Sequence, residues 1–206
     1  MRLINAVLCA FVFAAVLLGA ETLQWDWRHA EALTSKQWLS HAKISSADRN
    51  AIAKALANLL LPDLGGPGGF SEQEVEQVAL ETPVKVIDLN GDGIPEIIAQ
   101  GTPQDGGCSH TGNCRFWIFE KSGSEYRLLI SVPDIQSFNV QPTRSGGFND
   151  VVVKTYGSST QSTLRLLRYT GKKYEEAGCF NANWPASQGG TGHEANEPHL
   201  TPCAGK

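Results

Sequence analysis

An α+β fold, with N-terminal helices packed on a mostly antiparallel, two-repeat blade-like β sheet, is predicted by three observations in this 206-residue chain. Apolar residues recur at helical spacing in the stretch from Ser46 to Leu61; from Val84 onward they fall into short β-branched runs; and two of those runs copy one another. The chain divides accordingly into a leader (1–20), an N-terminal helical cap (21–70), a two-repeat β domain (71–180) and an irregular tail (181–206).

The leader has one basic residue, Arg2, then an apolar run from Ala6 to Leu18 and a small-residue end at Gly19-Ala20. This is the pattern of a secretory signal peptide. A membrane span needs about 20 apolar residues, and here the run is shorter and meets Glu21 at once. Export to a secreted or periplasmic location is expected, with cleavage near Ala20 and no membrane span afterwards. Losing Arg2 moves the formal net charge from -4 to -5. An acidic chain of this kind argues against a nucleic-acid or anionic-membrane surface.

In the cap, Ser45 or Ser46 can start the helix Ser46 to Leu61, with Asp48 in its first turn and Ile52, Leu56, Leu59 and Leu60 on one face. Pro62 is expected to end it, and Leu64 to Gly69 forms a joint. Upstream, Trp25, Trp27, Leu33, Trp38 and Leu39 predict shorter helical turns anchored by large side chains; buried packing is the commoner role for such tryptophans, and a carbohydrate-stacking surface is the other. Ser71 and Glu74 have the spacing of a capping box for a short helix.

The stretch Asp88-Leu-Asn-Gly-Asp-Gly-Ile-Pro-Glu96 is where oxygen ligands recur at metal spacing. Asp88, Asn90 and Asp92 alternate with the spacers Leu89 and Gly91, Gly93 stands where the backbone must turn, Ile94 offers its carbonyl and Glu96 closes the set. Such a set suits calcium, a hard cation taking six to eight oxygens. An EF-hand would need a glutamate at position 12 and flanking helices; position 12 is Ala99, and Val84–Ile87 and Ile97–Ala99 read as strands. The bland reading is an Asn-Gly or Asp-Gly turn with solvated carboxylates. Strand, loop and strand together resemble the calcium loops of FG-GAP and VCBS-type repeats, found in integrin-like propellers and many secreted bacterial proteins. The resemblance spans roughly Val84 to Phe180, is specific only at Asp88 to Glu96, and leaves the helices unaccounted for. It implies calcium and blade-like modules, and no particular activity.

Arg115 to Tyr126 matches Thr163 to Tyr174 at an offset of 48, with turns at Ser122-Gly123 and Thr170-Gly171; upstream, Pro95-Glu96 corresponds to Asn149-Asp150. In the second copy Pro142, Arg144 and Gly146 replace Asp88, Asn90 and Asp92, while Asp150 stands for Glu96. One calcium site and one degenerate copy are expected. Two repeats cannot close a propeller of four to eight blades, so the N-terminal helices should cover the apolar surface that neighbouring blades would hide.

Beyond Cys9 in the leader, the cysteines are Cys108, Cys114, Cys179 and Cys203, an even number in an exported chain. Two disulfides are expected, and of three connectivities the local one is preferred, Cys108 with Cys114 and Cys179 with Cys203. Neither pair has the spacing of a zinc knuckle. In the tail, His193, Glu194 and His199 lack the His-Glu-x-x-His spacing. His110 sits inside a short disulfide loop without an identifiable base, acid or nucleophile. There is no Gly-x-Ser-x-Gly, P-loop or Cys-x-x-Cys, and nothing in the spacing pairs Asp105 with Glu120 as glycosidase acids. Three function classes follow, in this order: a calcium-binding, non-catalytic binding or adhesion module meeting a protein or glycan through the loops Gly101 to Cys114 and Gly157 to Ser162; an inhibitor of an envelope or secreted hydrolase; and a hydrolase with a nonlocal site.

Overall fold

The computed structural model describes residues 30–33, 37–184 and 198–204; the expected leader, Trp25, Trp27, His193 and Glu194 lie outside them. A short 3-10 turn, Leu39–His41, leads to α1 (Ser46–Leu64) and α2 (Glu72–Leu80). Strands then follow in chain order. The first sheet holds β1 (Val84–Ile87), β2 (Glu96–Gln100), β3 (Cys114–Ser122) and β4 (Glu125–Ile135). The second holds β5 (Ser137–Ser145), β6 (Phe148–Ser158), β7 (Gln161–Tyr169), β8 (Tyr174–Asn183) and β9 (His199–Pro202). Every pairing is antiparallel. The architecture is α+β, with each repeat making its own sheet.

Helix α1 starts as its sequence directs, the Ser45 hydroxyl accepting from the Asp48 N–H at 3.0 Å. It does not stop before Pro62, as expected from the sequence, but runs to Leu64. Proline there removes only the donor to the carbonyl of Asn58, an exposed residue that water can reach, and the Gly65 N–H closes the end onto Leu61 O at 2.8 Å. Helix α2 carries the expected capping box: Ser71 Oγ accepts from the Glu74 N–H, and the Glu74 carboxylate accepts from the Ser71 N–H at 2.8 Å. Replacing Ser71 by alanine is expected to cost about 1 kcal/mol, read as a lower denaturation midpoint with an unchanged denaturant slope.

The two repeats share register as well as composition. Ile97 pairs with Phe119 where Val151 pairs with Leu167, and Glu120 faces Arg127 where Arg168 faces Glu175. Both hairpins even bulge at matching places, between Ile118 and Phe119 and between Leu166 and Leu167. Their turn glycines, Gly123 and Gly171, take the positive φ that the hairpins require.

Both faces of the first sheet are covered. Ile98, Phe116, Ile118 and Leu129 meet Val151, Val153, Leu167 and Tyr174 of the second sheet in one core. Ile97, Ala99, Trp117 and Phe119 meet Ile52, Leu56 and Leu60 of α1 and Val75 of α2 in another. Since successive strand residues point to opposite faces, β2 is buried along its whole length, and Glu96 at its start is buried with it. Within the tail, whose residues 185–197 lie outside the described ones, a short strand was not expected: β9 pairs with β8, and Cys179–Cys203 fastens it there. Among the described residues no helix is long and apolar enough to cross a membrane.

Candidate functional site

The loop between β1 and β2 is wound around its own side chains. Asp88 Oδ1 accepts from the Gly91 N–H at 2.6 Å and Oδ2 from the Gly93 N–H at 2.9 Å. Asn90 Oδ1 accepts from the Asp92 N–H at 2.9 Å, and Asp92 Oδ1 from the Ile94 N–H at 2.7 Å. Gly93, at φ 84°, makes the sharp turn expected of it. The Gly93 N–H, foremost among these donors, holds the Asp88 carboxyl below its ordinary range. Of the two spacers, Leu89 is wholly buried in the core between the sheets and anchors the loop there.

Glu96 lies beneath this loop with 1% of its surface exposed. Its Oε2 accepts from the Leu89 N–H at 2.7 Å, while Asn90 Nδ2 reaches both Asp92 Oδ2 at 3.0 Å and Glu96 Oε1 at 3.5 Å. The Asn90 side chain thus ties the two carboxylates together. Burial, reinforced by the charges of Asp92, Asp88 and Glu120, pushes the Glu96 carboxyl up to about 7. No ion pair meets it among the described residues.

Asp150, the matching residue of the second repeat, is equally buried and differently treated. Thr143 Oγ1 donates to its Oδ2 at 2.8 Å, and Arg168 Nε stands 3.6 Å from the same oxygen. Arg168 occupies the register position that Glu120 holds in the first repeat. The second copy therefore carries its own cation beside its buried carboxylate. The first has another carboxylate there, itself engaged by Arg127.

Among the described residues no group of three or more His, Cys, Asp or Glu is gathered so that it could hold a metal ion. The loop carboxylates are turned instead onto the loop's own N–H groups. The donor types nevertheless suit a hard cation: three carboxylates, an amide oxygen and a main-chain carbonyl, all oxygen. The loop also has a neighbour that sequence reasoning did not assign. Arg144, aligned with Asn90 in the repeat, donates from Nη1 to Asn90 O at 3.0 Å and lies where a Gly91 side chain would be. The loss of oxygen ligands in the second copy was its only sequence signal.

The two loops expected to meet a partner are joined in space. Asn113 Nδ2 donates to Tyr156 O, and Asn113 Oδ1 accepts from the Tyr156 N–H, both at 2.9 Å, which sets the loop Gly101 to Cys114 beside the one beginning at Gly157. Asp105, 2% exposed, organises the first loop from inside by accepting from the Thr102 and Gly107 N–H groups; burial raises its carboxyl. Cys108–Cys114 closes the loop, with His110 exposed on it. Asp105 is thus a scaffold for a loop and Glu120 a partner for Arg127 on a strand, so each has a local role.

Comparison with protein-family models, with curated proteins and with solved structures gives no match.

Proposed function

We propose that this chain is an exported, calcium-stabilised, non-catalytic binding module, in which Asp88, Asn90, Asp92, the Ile94 carbonyl and Glu96 hold the ion. The observation that carries this reading is the contrast between the repeats: Asp150 is buried against Arg168, whereas Glu96 is buried among carboxylates and has no ion pair among the described residues. A buried carboxylate without a compensating charge is costly, and calcium would supply that charge. The Asp88 and Asp92 oxygens keep lone pairs for the ion beside the N–H groups they accept from, whereas Asn90 must turn its amide so that oxygen stands where its nitrogen faces Asp92 and Glu96. Two disulfides support export, since such bonds persist in oxidising compartments. The tethered loops at Gly101–Cys114 and Gly157–Ser162 would form the partner surface, a preorganised one.

Titrating calcium into chelator-treated mature protein tests the assignment. One site per chain is expected. At the Kd of about 0.1 to 1 mM usual for extracellular modules, millimolar calcium should add roughly 0.4 to 1.4 kcal/mol of stability. The Asp88→Ala/Asp92→Ala protein should lose both binding and increment, and Asp150→Ala should keep the calcium response. If Asp150→Ala removed it, or if the unaltered protein bound no calcium, the loop would be a polar turn.

A further inference from the structure

A cleft opens between Trp38 and the Cys108–Cys114 loop, with a volume of about 260 Å³. That is below the ~300 to 1,000 Å³ of pockets for drug-sized ligands, so it admits a single ring or a chain end. Among the described residues that line it, none carries a charge. Trp38 is half-buried and also borders a second cavity, of about 440 Å³, so open space reaches it from two directions.

The polar groups of the wall divide into engaged and free. Gln100 is spent on the fold: Oε1 accepts from the Leu33 N–H and Nε2 donates to Ile135 O. The main chain is spent as well, with the Gly101 N–H on Arg115 O and the Thr102 N–H on Asp105. Gln104 and Gln136, by contrast, line the same cleft, exposed and half-buried respectively, and neither side-chain amide has a hydrogen-bond partner among the described residues. Each free amide offers donors and an acceptor together. Hydroxyl groups match that offer, whereas a peptide adding to a sheet needs free main-chain groups and an ionic ligand needs charge.

We propose that this cleft binds a neutral carbohydrate, with Trp38 against the apolar face of a sugar ring and Gln104 and Gln136 on its hydroxyls. An indole beside an uncharged, amide-bearing wall gives both parts of such a site, and the disulfide and Asp105 hold that wall rigid before binding. The inference rests on the reading of the chain as a binding module and is independent of calcium.

The test is saturation-transfer NMR on the full mature protein with cellotriose, maltotriose and chitotriose as probes, and trigalacturonate as a charged control. Saturable binding of at least one neutral trisaccharide is expected, about ten-fold or more weaker in Trp38→Ala and largely retained in Trp38→Phe. Gln104→Ala, on an exposed loop position away from the core, should weaken binding with an unchanged melting curve, which covers the case of a Trp38 variant that does not fold. Failure of all three neutral probes overturns the proposal, as does full affinity in both Trp38→Ala and Gln104→Ala, or preference for trigalacturonate. Repeating the titration in chelator separates the two readings: sugar binding should persist there, so that a failed calcium titration of the same protein removes the metal assignment alone.

Discussion

Calcium-free protein should lose roughly 3 kcal/mol of stability as the pH rises from 4.5 to above 7. The cause is Glu96, whose burial raises its carboxyl from the ordinary 4.5 to about 7 in the folded chain; each tenfold change in proton affinity is worth about 1.4 kcal/mol. Between those two pH values the folded state holds a proton that the unfolded state has released. Stability therefore falls with rising pH across this window, is complete in its loss above the folded value, and is fully present below 4.5. Asp88 and Asp48, whose carboxyls are held below their ordinary range, act in the opposite sense and at more acid pH, so they do not offset the slope. Asp105 is raised by burial and contributes in the same sense as Glu96, without dependence on calcium.

Glu96→Gln separates the two raised carboxylates. Denaturation of the chelated variant should show a much flatter pH profile than that of the unaltered protein, the residual slope belonging to Asp105. Calcium should flatten the profile of the unaltered protein too, because an ion held by Glu96 keeps it ionised, and the calcium increment should therefore be larger at pH 7.5 than at pH 5.5. A slope that Glu96→Gln leaves intact would mean that the buried carboxylate is already compensated in the folded chain.

Much of the fold is legible in the residues because local signals agree with the global arrangement. Ser45 and Ser71 cap the helices that follow them, and the 48-residue offset between hairpins reappears as identical register and matching bulges. Proline's effect was overestimated: a missing N–H matters little when the carbonyl it would have met belongs to an exposed residue such as Asn58. The strand β9 was not legible, since His199 to Pro202 has little β-branched character and depends on pairing with β8 and the Cys179–Cys203 bond. At the candidate site, spacing picked out the alternating oxygen-bearing residues of Asp88 to Glu96 and the turn at Gly93. The apolar run after Pro95 marks the entry into a buried strand, as β2 is; what spacing could not reveal was that Glu96 would be buried with it, without an ion pair among the described residues. Nor could it show that Asn113 would bind Tyr156, because that contact crosses from one repeat to the other.

The same contrast between repeats sets the second large effect. Arg168→Met leaves Asp150, 1% exposed, without its guanidinium. Removing one member of a fully buried pair costs about 3 to 5 kcal/mol; Arg168 is 31% exposed in its side chain, so water screens part of the loss and roughly 2 to 3 kcal/mol is expected. Pairing the change with Asp150→Asn should recover much of it, because the orphaned charge is then gone. Calcium should not rescue Arg168→Met, since Pro142, Arg144 and Gly146 offer no carboxylate or amide oxygen where the first loop has Asp88, Asn90 and Asp92. The reciprocal exchange runs in the first repeat: Glu120→Arg with Arg127→Glu reproduces the Arg168 and Glu175 pairing, placing a guanidinium where it can offset Glu96. That protein should be stabler than the unaltered chain at pH 7.5 in chelator and should gain little from calcium. An undiminished calcium increment there would show that the ion is held without any need to compensate Glu96, and the contrast between the two buried carboxylates would no longer explain the loop.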